Sequence, residues 1–236
     1  PGPTLRTIME DSARKDQPLP RDMIQRVMLN VADALGYAHM RGMIHRDVKP
    51  ANVLMNERNE AILTDFGIAR MVQGTRLTQE GNTVGTPTYM SPEQATGDVL
   101  DARSDLYSLG VILYEMLCGH PPFADDGSVS VLLRHLNAPV PALPDDVANP
   151  SLNAFMQRAL AKNPADRFQN AEEFTDNLKR AFAGEHIEVG ENITRQLETG
   201  PFSIPAPTPQ WEAQVEDKRK HRITGMTHSP MLLLAV

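Results

Sequence analysis

Residues 43–67 read MIHRDVKPANVLMNERNEAILTDFG, and this stretch decides the architecture. Two short apolar runs, Asn52–Met55 and Ala61–Thr64, flank a polar turn at Glu57–Glu60. Such runs predict a small hairpin with a loop at each end. Upstream, residues 21–41 carry Met23, Ile24, Val27, Met28, Val31, Leu35 and Ala38 at helical spacing, which predicts a helix that Gly42 ends. Met23, Met28 and Tyr37 read as core residues. Downstream, residues 71–100 are rich in Gly, Thr and Pro without periodicity, which predicts a long loop of functional use. Asp105–Leu117 (DLYSLGVILYEML) is apolar on nearly all sides and belongs in the middle of a domain, with Gly119, Pro121 and Pro122 stopping it. Leu152–Ala161 and Ala171–Ala183 predict two more amphipathic helices joined by KNPADRFQN. After Gly184 the pattern fails, and residues 200–210 (GPFSIPAPTPQ) read as a proline-rich linker.

The chain has 236 residues, 41% hydrophobic and 22% charged, enough for one large domain with a tail. A formal net charge of -7 argues against nucleic acid as the main partner, because phosphate binding needs a clustered positive surface. Cys118 is the single cysteine, so no intrachain disulfide forms, and it reads as a small buried hydrophobe. The opening residues PGPTLRTIME do not read as a signal peptide, and no run approaches the ~20 apolar residues of a membrane span.

Three motifs carry chemistry. His45-Arg46-Asp47 is followed by Asn52 at the spacing H-R-D-x-x-x-x-N. Asp65-Phe66-Gly67 follows the second predicted strand, and Ser91-Pro92-Glu93 closes the long loop. Each tripeptide alone is a weak signal; their order and context make a strong one. With GTPTYMSPEQA, RSDLYSLGVILYEMLCGHPPF and KNPADRF in sequence, the chain resembles eukaryotic-type (Hanks-type) protein kinases, and most closely their bacterial Ser/Thr branch, over residues 1–183.

The resemblance implies a mainly α (α+β) fold, the large C-terminal lobe of a kinase: a helical bundle around a buried central helix, with small β-hairpins at the catalytic cleft. It implies a kinase domain over residues 1–183, then a flexible proline-rich and basic linker over 184–236. By resemblance, Asp47 accepts the hydrogen bond of a Ser or Thr hydroxyl, and Lys49 contacts the transferred phosphate. Asn52 and Asp65 hold the metal, and Leu54 lies under the adenine ring. Thr86 bridges Asp47 and Lys49, and it supports Ser/Thr specificity, as does Lys49. Glu93 and Arg167 form a buried ion pair that props the substrate loop. Asp105 anchors the catalytic-loop backbone, and His45 stacks under Phe66 in a structural role. Thr78 and Thr83 are the expected regulatory phosphosites, with Arg46 as the partner of the phosphate. Implied cofactors are ATP and Mg²⁺, with Mn²⁺ as an alternative ion.

The family's small lobe supplies a glycine-rich loop and a strand lysine. Neither motif precedes His45, where Lys15 in the polar stretch DSARKDQ is the only lysine. The expectation is therefore a fragment, inactive alone, of an ATP-dependent Ser/Thr kinase whose partners are protein substrates and a second kinase copy. The alternative is a non-catalytic, pseudokinase-like docking or regulatory module. The cluster Lys218, Arg219, Lys220, His221 and Arg222, followed by MLLLAV, suggests a membrane anchor downstream. The implied location is cytoplasmic, or the cytoplasmic face of the plasma membrane.

Overall fold

A computed structural model describes residues 2–66, 87–125 and 127–187. Seven α-helices and one two-stranded antiparallel sheet are present among them. The helices are α1 (Leu5–Lys15), α2 (Arg21–His39), α3 (Pro92–Thr96), α4 (Ala102–Cys118), α5 (Ser128–Asn137), α6 (Pro150–Ala159) and α7 (Ala171–Ala183). The strands are β1 (Val53–Met55) and β2 (Ala61–Leu63), in the register Val53↔Leu63, Leu54↔Ile62 and Met55↔Ala61. This is a mainly helical fold with a small hairpin.

The centre is α4. Every residue from Ser104 to Leu117 is buried, so the helix meets protein on all sides. Asp101 caps its start through the backbone N–H of Arg103, and Gly119 (φ 78°) ends it in the left-handed conformation that glycine adopts without strain. Helix α2 packs against α4, α7 and β2, while α6 packs against α4 and α7. Gly110 allows the α4–α6 approach, since a Cβ there would lie 3.1 Å from Leu160 Cδ2 and 3.2 Å from the Ala159 Cβ. Phe155, Phe168 and Phe174 close that end of the core with ring centroids 4.7–5.5 Å apart.

The expected helix and hairpin positions lie within a few residues of those observed, and α7 has the expected bounds. Four features differ. The stretch expected as loop over 71–100 contains a 3₁₀ turn, Pro87–Tyr89, and then α3. Ser91 caps α3 through a capping box with Gln94, and Pro92 sits in its first turn, so S-P-E-Q is itself a helix start. Helix α1 was not anticipated, although Thr4 caps it and Leu5 and Met9, one turn apart, are its buried residues. Helix α5 was not anticipated either, although Val129, Leu132, Leu133 and Leu136 recur at helical spacing; it buries Val131 and His135 and leaves Val129 and Leu133 exposed. Tyr37, expected in the core, is 56% exposed, because it lies off the stripe defined by Val31, Leu35 and Ala38. The Arg41 guanidinium covers its ring at 3.5 Å. Met23 is half-buried and Met28 fully buried, while Cys118 is half-buried and burial pushes its thiol up to about 11.

Candidate active site

The loop between α2 and β1 carries the first motif, and α4 holds it in place. After α2 the chain turns through Gly42 (φ 72°), whose N–H bonds to the His39 carbonyl. Arg46 then takes φ 67°, a left-handed conformation that costs a non-glycine residue about 1 kcal/mol or more. Asp105, 1% exposed in the first turn of α4, holds that conformation. Its Oδ1 accepts from the Arg46 N–H at 2.8 Å, and its Oδ2 accepts from the His45 N–H at 2.8 Å. Oδ2 also accepts from His39 Nε2 at 2.7 Å. That bond places the His39 proton on Nε2, and His39 Nδ1 is the one buried side-chain polar atom without a partner among the described residues.

His45 is fully buried. Its Nε2 donates to the Thr64 carbonyl at 2.9 Å, and its Nδ1 accepts from the Asp47 N–H at 3.3 Å. Its ring lies 4.7 Å from that of Phe66, tilted 53°. With both nitrogens committed to the backbone, the imidazole is a strut between the loop and the hairpin exit.

Asp47 is the point of convergence. Its Oδ2 accepts from Lys49 Nζ at 2.7 Å and from Asn52 Nδ2 at 3.1 Å. Asn52 Nδ2 also donates to the Asp47 carbonyl at 2.8 Å. Asn52 is buried within the 3₁₀ turn Pro50–Asn52, whereas the Asp47 and Lys49 side chains are about one-third exposed, at 34% and 38%. Asp65 reaches the same region because the hairpin ladder continues past its strands: the Thr64 N–H and hydroxyl both donate to the Asn52 carbonyl, at 2.9 and 3.1 Å. Asp65 follows at φ 59°, exposed. Leu54 lies half-buried on β1, bridged to Thr4 on one side and paired with Ile62 on the other.

The second anchor is Glu93, in α3. Arg167 grips it with two bonds, NH1 to Oε1 and NH2 to Oε2, both 2.8 Å, and Ser104 Oγ donates to Oε1 at 2.6 Å. Burial pushes the Glu93 carboxyl up, but the bonds and charge of Arg167 outweigh it and leave the carboxyl below its ordinary value. Arg167 is 1% exposed and also donates to the carbonyls of Ala161, Lys162 and Arg103.

The structure thus brings Asp47, Lys49 and Asn52 into direct contact, seats His45 on Phe66, and joins Asp105 to the loop and Glu93 to Arg167. Thr78, Thr83 and Thr86 lie outside the described residues, as do Gly67 and the basic cluster at 218–222. Sequence reasoning missed three contributors. His39 completes the shell of Asp105, but a lone histidine at a helix end carries no such signal. Gln94 Nε2 donates to the Arg46 carbonyl at 2.8 Å, tying α3 to the loop that bears Asp47; the capping-box spacing could have drawn attention to it. Tyr89 donates to the buried Glu115 carboxylate at 2.5 Å and accepts from Arg6 at 2.8 Å, linking α1, α4 and the 3₁₀ turn. Burial pushes the Glu115 carboxyl above its ordinary value, against the pull of the Tyr89 hydrogen bond and the Arg6 charge.

Asn52 and Asp65 are hard oxygen donors from two adjacent segments. No group of three or more His, Cys, Asp or Glu side chains able to hold a metal alone occurs among the described residues. A pair of oxygen ligands completed by waters and phosphates is the donor set Mg²⁺ takes with nucleotides, so the residues fit that ion. No helix among the described residues is long and apolar enough to cross a membrane.

Residues 4–178 match the family model described as protein kinase domain. The chain is 42% identical over 196 residues to serine/threonine-protein kinase PknB of Mycobacterium leprae, covering 82% of this chain and 31% of that protein. It is 38% identical over 235 residues to PknB of Mycobacterium tuberculosis, covering 95% and 37%, and 42% identical over 183 residues to a probable PknB of Bifidobacterium longum, covering 75% and 26%. The chain therefore spans about a third of the length of these curated relatives.

Proposed function

The chain belongs to the protein kinase family, and we propose that it provides the catalytic lobe of an ATP- and Mg²⁺-dependent serine/threonine kinase. The observation that carries this reading is the Asp47 carboxylate, contacted by Lys49 and Asn52 and partly open to solvent. Mg²⁺-bound ATP supplies the transferable phosphoryl group, and its ion neutralises charge on the phosphates.

The chain's own residues then position and orient. Asp47 Oδ2 would accept the hydrogen bond of the acceptor hydroxyl and receive its proton as the new oxygen–phosphorus bond forms and the bond from the γ-phosphorus to the bridging oxygen breaks, with ADP leaving. Lys49, a compact charge on a flexible stem, moves between Asp47 and the phosphoryl oxygens. The Asn52 amide nitrogen is committed to Asp47, which leaves its side-chain oxygen, with the Asp65 carboxylate, as the metal donors. Leu54 and Ile62 offer an apolar floor to the base. Thr86 contributes to hydroxyl selection, and Glu93 with Arg167 fixes the substrate-side loop. Residues 1–183 form the catalytic lobe and 184–236 a linker, with a membrane anchor beyond it and a cytoplasmic catalytic face. Thr78 and Thr83 are autophosphorylation sites on which a second copy of the kinase acts. Mn²⁺ can replace Mg²⁺.

The test is Asp47→Asn in the full natural protein. Removing a positioned proton acceptor lowers kcat by about 10²–10⁴ while nucleotide affinity stays level. Wild-type turnover in this variant overturns the assignment. The 236-residue chain alone presents the floor of the nucleotide site without a glycine-rich loop over the phosphates, and it should transfer little or no phosphate.

A further inference from the structure

A histidine away from the catalytic loop is built into the substrate side of the lobe. His135, in the last turn of α5, is fully buried. Its Nε2 lies 3.0 Å from the Thr88 carbonyl, and its Nδ1 lies 2.9 Å from the Tyr107 hydroxyl. A carbonyl can only accept, so the proton resides on Nε2, and the Tyr107 O–H donates to the bare Nδ1. Both ring nitrogens are satisfied by one tautomer of the neutral ring. Phe123 packs edge-on to the imidazole at 4.9 Å, and Lys162 Nζ sits 4.0 Å from the centre of that phenyl ring. The other charged groups around the cluster are Arg167, over the Tyr107 ring at 4.7 Å, and the Arg134–Asp125 pair. Burial, followed by the charge of Lys162, pushes the imidazole down to about 4, so it is neutral at physiological pH.

Thr88 lies in the 3₁₀ turn Pro87–Tyr89, between Thr86 and the start of α3. Ser108 Oγ holds the next carbonyl of that turn, Tyr89, at 2.7 Å. The two carbonyls are therefore pinned separately, one from α4 and one from α5. We infer that His135 is a positioning residue for the protein acceptor: through Thr88 it fixes the segment against which the Ser- or Thr-bearing substrate lies. This rests on the proposed kinase function. The bond to Thr88 is the working contact, and the bond to Tyr107 orients the ring.

Two variants separate a positioning role from plain packing. His135→Gln places an amide donor near the site of Nε2 and keeps the bond to Thr88. His135→Asn reaches only as far as Nδ1 and loses it. In the full natural protein, His135→Asn should raise the KM for a peptide acceptor about tenfold, with the KM for ATP within about twofold of wild type. His135→Gln should restore most of the difference. Equal losses in both variants, or a fall in kcat with the acceptor KM unchanged, overturn the inference. Hydrogen exchange gives a readout that does not need activity. The Met90 amide bonds to the Pro87 carbonyl across the turn, and it should exchange faster in His135→Asn and at the wild-type rate in His135→Gln. If the wild-type protein transfers no phosphate, the functional reading fails, while unchanged protection in His135→Asn would sink the latch itself. Should His135→Asn not fold, nitrogen NMR of the wild-type protein decides: a proton on Nε2 with bare Nδ1 supports the latch, and the opposite tautomer refutes it.

Discussion

Removing the Glu93 side chain should destabilise the chain by about 3–5 kcal/mol, because it strands a buried guanidinium. The geometry sets that figure. Arg167 is 1% exposed and Glu93 7%, so neither charge has water to fall back on. In Glu93→Ala the guanidinium keeps its carbonyl partners Ala161, Lys162 and Arg103 but loses both carboxylate bonds and the compensating charge. Ser104 loses its acceptor on Glu93 as well. For a domain of this size the loss corresponds to roughly a 10 °C drop in Tm. Arg167→Met should cost a similar amount, for the opposite reason: a buried carboxylate left without its compensating charge, held only by Ser104 and a backbone N–H. If the pair acts as a unit, the double variant costs about as much as either single one, and the coupling energy exceeds about 2 kcal/mol. Urea unfolding followed by far-UV circular dichroism measures all four proteins, with the slope held constant as the check on two-state behaviour. A cost below about 1 kcal/mol for Glu93→Ala, or strictly additive single variants, refutes the reasoning. The pH dependence has a definite sign. Arg167 holds the folded carboxyl below its ordinary value, so the native state binds fewer protons than the unfolded chain. This contribution is present above the ordinary carboxyl value of 4.5 and disappears as pH falls through the folded value, and Glu93→Gln should lack that component.

Two further outcomes follow from the packing. Gly110→Ala forces α4 and α6 apart at Ala159 and Leu160, and should cost about 1–3 kcal/mol by thermal denaturation; a neutral result would mean that α6 can shift freely. Burial, with the charge of Arg167, pushes the Lys162 amine down to about 7, so its cation is penalised in the fold fully below pH 7 and progressively less as pH rises toward 10.5. Lys162→Met should therefore stabilise the chain by about 1–2 kcal/mol at pH 6.5, and the gain should fade by pH 10. A difference that stays constant with pH would assign it to packing alone.

Much of this was legible in the sequence, for reasons that differ by element. Helix α7 could be bounded because Asn170 caps it, Gly184 ends it, and Phe174, Leu178 and Ala181 recur at helical spacing. Helix α4 stood out because it is apolar around its circumference. The hairpin was visible because two apolar runs bracket a turn. Helices α1 and α5 are short, and each fully buries only two side chains, although apolar residues recur at helical spacing in both: Leu5, Ile8 and Met9 in α1, and Val129, Leu132, Leu133 and Leu136 in α5. The chemistry-bearing motifs were legible because their spacing is local: Asp47 and Asn52 are five residues apart and hydrogen-bond directly. Their supports were not. The partners of Asp105 lie 59 to 66 residues away along the chain, and Gln94 lies 48 from Arg46, distances over which no local pattern carries information. Where the resemblance supplied such a pair, as with Glu93 and Arg167, it supplied what single-chain patterning cannot.

The way α4 carries polar groups through the core explains why these supports converge. Ser104, Tyr107, Ser108 and Glu115 stand at i, i+3, i+4 and i+11, a spacing that keeps them along one side of a helix. All are buried, and an unpaired buried polar group is costly, so each needs its own partner. Ser104 takes Glu93, Tyr107 takes His135, Ser108 takes the Tyr89 carbonyl and Glu115 takes the Tyr89 hydroxyl. Asp105, one residue round from Ser104, takes the catalytic-loop backbone. The loop bearing Asp47 puts Val48 into the core and the turn bearing Thr88 puts Tyr89 there, and hydrogen bonds add the rest of their positioning. Each is tied to α4 by hydrogen bonds, the loop through Asp105 and the turn through Ser108 and Glu115, while His135 of α5 pins the Thr88 carbonyl separately. A change to one of these polar partners moves one segment relative to the other, and in the proposed kinase a relative displacement of about 1 Å would cost phosphoryl transfer about a hundredfold.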